Sequence, residues 1–465
     1  VVRLGVTVRD RTEAVELIHE GGRCHGAIAR CLRTGEHSAI LAKATVIATG
    51  GHGRIYGQYT TNATINEGMG AAIALNTGVV PLGNMEAVQF HPTALSPSGI
   101  LVTEGCRGDG GYLLDKDGHR FMVEAEPEKQ ELASRDVASR HMAQRMRDGF
   151  GVETKHGPHL WLDIRHLGDE HLRTKLREVW EICRDFVGLD PAKELIPVRP
   201  TQHYSMGGIR VNKEGEAYNL AGLYAVGEAS CWDMHGFNRL GGNSLAETIV
   251  SGRLVGMRVA KSAGDSSLDV DTRAAIQALQ KAEERAAEIV AREGDGLNAY
   301  DVRDAMAEVM IGKVGIFRTG DELEVAVTEL KQLLADCDRI TLRSKVPGMN
   351  PELTFALRIK NMVRLSLITA MGALARTESR GAHFRLDHPL RDDAKWLNRT
   401  LVRWSESADE PDFSYEPVGK LDVPPGHRGY GADERIEMEQ SIEDYNATVE
   451  EGQASQGKLP TEGVL

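Results

Sequence analysis

The sequence contains no C-x-x-C pair. Its six cysteines, Cys24, Cys31, Cys106, Cys183, Cys231 and Cys337, are scattered singly. Neither a zinc site nor a self-contained iron–sulfur cluster has the ligand spacing it needs, and no metal ligands are assigned. An even count is no argument for disulfides in a chain of 465 residues, so the cysteines are read as free thiols. No apolar run reaches the ~18 residues of a membrane span, and no signal peptide opens the chain. There is no P-loop, and no G-x-G-x-x-G between a strand and a helix. Internal repeats and low-complexity tracts are absent too. Positive charge is in short supply: 55 Lys and Arg against 68 Asp and Glu give a net charge of −13. Without a basic footprint, nucleic acid is excluded as a partner. The first residue, Val1, falls inside an expected strand, so the sequence is expected to lack its true start.

What is present is the composition of a globular protein, 41% hydrophobic and 26% charged. The length exceeds one compact core and predicts about two to four domains. Val15–Ile18 and Ala27–Cys31 flank Gly21-Gly22 and predict a hairpin. The apolar run Ala44–Ala48 ends in Thr49-Gly50-Gly51, the pattern of a buried α/β strand reaching a ligand-facing loop. Glu67–Leu75 reads as a small-residue helix stopped by Gly78. Residues 92–204 are richer in charge and helical pattern, at His141–Arg147 and Glu170–Asp185. After Pro200 the glycine-rich style returns, with a strand at Leu223–Val226, a loop at Gly227-Glu228-Ala229 and a helix at Ser244–Val259. An α/β domain interrupted by an insertion is expected.

From about residue 263 the chain is helical. Leu323, Val327, Leu330 and Leu334 recur at helical spacing, and Leu353–Leu374 is a second long amphipathic stretch, introduced by Pro347-Gly348 and Pro351. These are expected to pack as a small antiparallel bundle. After about residue 405 the composition turns to Pro, Asp, Glu and Gly, with a turn at Pro424-Pro425-Gly426 and a polar tail.

Two glycine loops suit the approach of backbone to a nucleotide at strand carboxyl ends: Ala48-Thr49-Gly50-Gly51 and Gly227-Glu228-Ala229. Each alone is equally a structural turn. Glu228 is the more informative residue, because an acid just after a buried strand can hold ribose or ribityl hydroxyls. Polar residues gather in four pieces, Gln89–Thr93, Thr103–Gly108, His203–Gly208 and Asn238–Ser244. Each sets His or Arg among turn residues. Two histidines and two or more arginines suit two carboxylates, since arginine offers a planar fork and histidine one directed donor. One such piece would be an ordinary structural polar group; four around one insertion point to a site.

A fifth piece, Glu131–Asp136, reads as a helix start with Ser134 or Asp136 as cap. On the residues alone, Arg135 pairs with Asp136 or Glu131. The cluster Thr377–His383 with Arg391-Asp392-Asp393 is expected to be a surface ion-pair network or a subunit interface.

The stretches MEAVQFHPT (85–93), LVTEGCRGDGG (101–111), HYSMGGI (203–209), GEASCWDMHGFNRLGGNS (227–244) and TESRGAH (377–383) resemble the flavoprotein subunits of the fumarate reductase and succinate dehydrogenase family. They are most similar to menaquinol-dependent fumarate reductases of anaerobic bacteria with a dihaem anchor. The resemblance spans essentially the whole chain. It implies an FAD-binding α/β domain, here partial, at 1–91 and 205–262, with an inserted α+β capping domain at 92–204. A helical domain at 263–390 and a small C-terminal domain at 391–465 would follow.

By the same resemblance, His91, Thr103 and Glu104 would contact the dicarboxylate, and His203 and Arg239 would hold a carboxylate. Arg135 would be the proton donor to fumarate, with Glu104 or Asp136 reprotonating it. Thr49, Gly50, Gly51, Glu228, Arg239, Asn243, Ser244 and Leu245 would lie at the FAD. The histidine that holds FAD covalently is expected upstream of Val1. The implied chemistry is hydride transfer between flavin and one alkene carbon, with proton transfer at the other. The implied partners are an iron–sulfur subunit and a membrane-anchor cytochrome b subunit, with the protein peripheral on the cytoplasmic face of the cytoplasmic membrane. The runner-up readings are an L-aspartate oxidase-like flavoenzyme and a flavin-less remnant acting only in assembly.

Overall fold

The computed structural model describes residues 2–265, 272–405 and 409–418. The first sheet is antiparallel, with Thr12–Glu20, Arg23–Cys31 and His37–Leu41 in order. Gly21 and Gly22 turn the expected hairpin with φ of 58° and 75°, values that exclude most side chains. Strand alternation divides its apolar residues between two layers. Leu17 faces the main core, whereas Ile18 and Ile28 pack on Ala275 and Ala282 of the helix Thr272–Ala291.

Thr45–Ile47 and Leu223–Ala225 pair in parallel, so the loops that follow them, 48–51 and 226–229, leave the same end of the pair. The expected buried strand is only half buried, since Val46 is 42% exposed. The helix after it starts at Met69, two residues later than expected, because Gly68 sits at φ 79° and cannot continue a right-handed helix. A five-stranded sheet orders Ser230–Cys231, Gly208–Arg210, Leu82–Gly83, Asn398–Ser405 and Glu410–Pro417. It ties the end of the described chain to its middle.

Helices Ala299–Lys313, Gly320–Asp336 and Pro351–Ala375 pack on one another. Each starts at a capping side chain. Asn298, Thr319 and Asn350 accept from the N–H groups of Tyr300, Glu322 and Leu353 at 2.8, 3.3 and 3.0 Å. The last of these helices is not the amphipathic element its sequence predicts. Phe355, Ile359, Met362, Val363, Leu365 and Ile368 are all buried, with others around most of its circumference, and it runs through the main core. Each such side chain contributes roughly 1.5–3 kcal/mol of burial.

A second core is drawn wholly from residues 95 to 198. Its sheet orders Val88–Leu95, Ile196–Ser205, Leu160–Asp163 and Tyr112–Leu114, covered by the helix Arg135–Arg145. Val88 and Phe90 belong to the main core and Leu95, Ile196 and Val198 to the second. The paired strands Val88–Leu95 and Ile196–Ser205 therefore carry the chain between the two cores. The helical segment expected at 170–185 breaks into Asp169–Thr174, Arg177–Ile182 and a wide turn Cys183–Val187. His141–Arg147 is the tail of the Arg135 helix, opening into a wide turn that holds Gly149 at φ 81°. All six cysteines are free. No helix among the described residues is long and apolar enough to cross a membrane. The turn expected at Pro424-Pro425-Gly426 and the polar tail lie outside the described residues.

Candidate functional site

The crossing strands deliver the first polar side chains. On Val88–Leu95, pairing with Ile196–Ser205 slips between Gln89 and Phe90 and again between His91 and Ala94. Pro92 has no N–H to give the ladder, and such irregularities re-aim neighbouring side chains. Gln89 and His91 end up fully buried. His203, on the partner strand, meets His91 edge-on with ring centroids 5.0 Å apart.

The two imidazoles are in opposite tautomers. The Thr93 N–H donates to His91 Nδ1 at 3.2 Å, which leaves the His91 proton on Nε2. That buried Nε2 finds no hydrogen-bond partner among the described residues. Arg239 Nη2 donates to His203 Nε2 at 2.8 Å, so the His203 proton is on Nδ1 and goes to Thr61 Oγ1 at 2.7 Å. Burial, then the charges of Arg239 and Arg135, push His203 down to about 3. Burial first, with His203 and Arg135 behind it, holds His91 well below its ordinary value. Both rings are neutral near pH 7.

Arg239 is 3% exposed and lies over the Tyr204 ring, 4.6 Å from its centre. Its Nη1 donates to Ser244 Oγ at 3.1 Å and to the Leu240 carbonyl at 3.3 Å. Its Nε has no partner among the described residues. Burial and then repulsion from Arg135 bring its pKa down to about 10. Two buried N–H donors, His91 Nε2 and Arg239 Nε, are thus left for an acceptor from outside, a state native interiors seldom tolerate without a ligand or water.

Arg135 opens its helix and is 7% exposed. It pairs with neither Asp136 nor Glu131. Its Nε and Nη2 donate to Glu104 Oε2 at 3.1 and 2.8 Å, and its Nη1 reaches Gln89 Oε1 at 3.4 Å. Glu131 is taken by Arg120, at 2.8 and 2.6 Å. Asp136 accepts from Ser134 Oγ at 2.7 Å and from Arg140 at 3.5 Å. Ser134 stands at the cap position without bonding the helix backbone, because its hydroxyl is spent on Asp136. Arg107 Nη2 holds the other Glu104 oxygen at 3.2 Å. Burial opposes ionisation of Glu104, but the hydrogen bond and charge of Arg135 and the charge of Arg107 outweigh it and lower its pKa. Gly241 leaves room for this pair: a Cβ there would lie 2.6 Å from Glu104 Oε2 and 3.3 Å from Arg135 Nη2. Thr103 is exposed, and its hydroxyl accepts from the Gly105 N–H at 3.3 Å. The structure brings together His91, Glu104, Arg135, His203 and Arg239; Thr103 joins them only as the neighbour of Glu104.

The glycine loops form a second region beside the first. Glu228 accepts from the Ser205 N–H at 2.9 Å and is pushed up to about 7 by burial. A Cβ on Gly51 would meet Glu228 Oε1 at 2.5 Å, and one on Gly50, at φ 73°, would meet Asn66 Nδ2 at 2.5 Å. Bare backbone thus lies against the acid, as close approach by a nucleotide requires. Thr49 is exposed at the head of this loop. Asn243, Ser244 and Leu245 begin the helix Asn243–Asp265, with Asn243 and Leu245 exposed. The free N–H groups of such a first turn attract anions.

The cluster expected at the surface is buried. Arg376, Glu378 and His383 are fully enclosed. Arg376 donates to Glu86 at 2.9 Å, to Glu378 at 3.0 Å and to the carbonyls of Trp396 and Asn398 at 3.0 and 2.9 Å. Tied through Glu86, the network anchors the segment that leads into Gln89 and His91. A cavity of about 990 Å³ lies on the far side of the 233–240 loop, between it, Arg140 and the 379–399 segment. Its lining does not include His91, His203, Arg135 or Arg239.

Sequence reading gave Thr61 no role and counted Gln89 and Arg107 only as members of the polar pieces Gln89–Thr93 and Thr103–Gly108, without a role of their own. Gln89 precedes His91 by two positions on one strand, the only hint available. Thr61 comes from a segment with no pattern of its own.

Residues 1–245 match the FAD binding domain family, and residues 303–430 match the family described as fumarate reductase flavoprotein C-term. A fumarate reductase flavoprotein subunit of Helicobacter pylori is 48% identical over 456 residues, covering 92% of this chain and 63% of the relative. The chain thus spans under two thirds of that relative's length. A succinate dehydrogenase flavoprotein subunit of Rickettsia bellii is 38% identical over 414 residues, 87% of this chain and 68% of its own. A solved structure of Escherichia coli quinol fumarate reductase FrdA superposes with a TM-score of 0.85 at 36% identity, covering 90% of this chain and 73% of that one.

Proposed function

The chain belongs to the fumarate reductase and succinate dehydrogenase flavoprotein family, and from that premise we propose that it carries the dicarboxylate site of a quinol-linked fumarate reductase, reversible toward succinate oxidation. The observation that carries this reading is the pair of orphaned buried donors, His91 Nε2 and Arg239 Nε, beside the Arg135–Glu104 pair. A four-carbon dicarboxylate offers carboxylate acceptors at both ends and so can satisfy both orphaned donors. Neutral imidazoles donate without adding charge, and Arg239 supplies the cation.

Arg135 is the proposed proton donor to the alkene carbon. An arginine, with a pKa above about 12, can serve only if a neighbour reprotonates it. Glu104 touches it and is the proposed relay; Asp136, engaged with Ser134 and Arg140, is not. The low dielectric around these buried groups strengthens each of these interactions as charge develops.

The residues present fit an FAD: Glu228 against bare Gly51, the left-handed Gly50 and the first turn at Asn243 form a cradle. Thr49, Gly50, Gly51, Glu228, Arg239, Asn243, Ser244 and Leu245 are proposed to hold it. Such a group supplies, when bound, hydride transfer to one alkene carbon. Its covalent attachment through a histidine preceding Val1 is part of the proposal. So is the division into an FAD-binding domain at 1–91 and 205–262, a capping domain at 92–204, a helical domain at 263–390 and a C-terminal domain at 391–465, which the separate core of residues 95 to 198 supports. Electrons would arrive through an iron–sulfur subunit and a membrane-anchor cytochrome b subunit, with this protein peripheral at the cytoplasmic face of the membrane.

The test is fumarate-dependent oxidation of a reduced viologen by the enzyme isolated with its partners. Turnover that His91→Ala and Arg239→Met each abolish is the expected result. Turnover unaffected by both would refute the assignment.

A further inference from the structure

Gln89 lies between Arg135 and the Arg239 loop, and the proposed reaction does not use it. It is fully buried. Its Nε2 donates to Asn238 Oδ1 at 2.8 Å and to the Arg239 carbonyl at 2.7 Å, while its Oε1 accepts from Arg135 Nη1 at 3.4 Å. One amide therefore joins the two arginines through different groups: a side chain on one and the backbone of the other.

This amide has one possible orientation. Arg135 has only N–H groups to present, and the Arg239 carbonyl has only lone pairs. Turning the amide over would face donor to donor and acceptor to acceptor, stranding buried polar atoms without partners. The bridge also joins separate packing units, since Arg135 begins the helix over the second core and the Arg239 loop packs through Phe237 into a small cluster with Ala87, Tyr204, Met206 and Ala382.

The charge state of Gln89 matters as much as its shape. Glu104 already grips the Nε and Nη2 edge of Arg135 with a carboxylate. At Nη1 the acceptor is a neutral amide at 3.4 Å, a weak bond. A second carboxylate there would hold the Arg135 proton more tightly and oppose its transfer. Resting on the reading of Arg135 as proton donor, we propose that Gln89 is a positioning residue: it sets Arg135 at a fixed distance from the Arg239 loop and, being neutral, leaves Nη1 as the edge from which the proton departs.

The experiment compares Gln89→Glu, Gln89→Met and Arg135→Lys in the full-length flavoenzyme assembled with its partner subunits. It measures viologen-linked kcat and KM for fumarate across pH, malonate Kd by flavin absorbance, and Tm. Gln89→Met is expected to lower kcat at least about tenfold through lost orientation, with malonate Kd changed less than about threefold. Gln89→Glu is expected to lose more kcat than Gln89→Met, and its deficit to widen as pH rises and the new carboxylate ionises. Wild-type kcat in Gln89→Met while Arg135→Lys is dead overturns the positioning role and leaves the proton-donor reading standing. A normal rate in Arg135→Lys overturns that reading itself. Parallel loss of kcat, malonate binding and Tm in both Gln89 variants overturns the inference by making Gln89 merely structural.

Discussion

His203 accepts a hydrogen bond from Arg239, Nη2 to Nε2 at 2.8 Å, and so works in the pocket as a neutral base. A second histidine would ordinarily be counted as a second cation for a dianionic ligand. Here burial and Arg239 hold His203 down to about 3, and His91 is also held far below its usual value. Between pH about 5 and 9 neither ring should change charge, although free histidine titrates near 6.5. Imidazole ¹⁵N shifts at both positions should stay those of neutral rings throughout, and protonation of either near pH 6.5 would contradict the geometry. By linkage, both depressed values favour the unfolded chain as pH falls below about 6.5, so they contribute to acid lability.

Glu228 has the opposite sign. Its folded pKa is raised to about 7, so its neutral form is favoured in the fold. The stability associated with that form is fully present below the unfolded value near 4.5 and is lost as pH rises through about 7. Glu228→Gln should therefore raise stability at pH about 8, by up to about 3 kcal/mol, and give no gain at pH about 4. Thermal unfolding at the two pH values checks this. A gain confined to low pH would reverse the account.

Gly241 faces the Glu104–Arg135 pair with no side chain of its own. Gly241→Ala puts a methyl group 2.6 Å from Glu104 Oε2, so the pair must shift. Because Gly241 is exposed, stability should change by less than about 1 kcal/mol, whereas kcat should fall at least about tenfold, as displaced catalytic groups do. Unchanged kcat would show that the pair tolerates displacement.

Arg376 is locked between Glu86 and Glu378 with no exposure on any of the three. Arg376→Met leaves the buried Glu86 without its cation, while Glu378 keeps Arg380, and should cost about 3–5 kcal/mol, measured by denaturant unfolding. A loss under about 1 kcal/mol would mean that the network is not what anchors the Glu86 segment.

The parts legible in the sequence were those with local periodicity or punctuation. Gly21-Gly22 marked its hairpin, and the strand ends before Gly51 and Gly227 marked the paired loops. The polar pieces holding His91, His203 and Arg239 marked the pocket. Partners distant in sequence were not legible. Arg135 lies 31 positions from Glu104, so its local pattern offered only its neighbours, Asp136 and Glu131, as ion-pair partners, and Glu104 entered only beside the family resemblance, as a candidate relay with Asp136. The Thr377–His383 cluster looked exposed because its charges are dense, yet Glu378 is enclosed between Arg376 and Arg380, and Arg380 reaches the buried Asp393. Met69 starts its helix late because a backbone angle at Gly68, invisible in composition, forbids an earlier start.

The central claim is that Arg135 gives a proton to a dicarboxylate that His91 and Arg239 hold. The most direct measurement is single-turnover reoxidation of the reduced flavin by fumarate in Arg135→Gln, beside the Kd of malonate for the same variant. The account predicts malonate affinity within about fivefold of the wild type, since the holding groups remain, and a reoxidation rate lower by more than about a thousandfold, since the acid is gone. A reoxidation rate within a few fold of the wild type would contradict it.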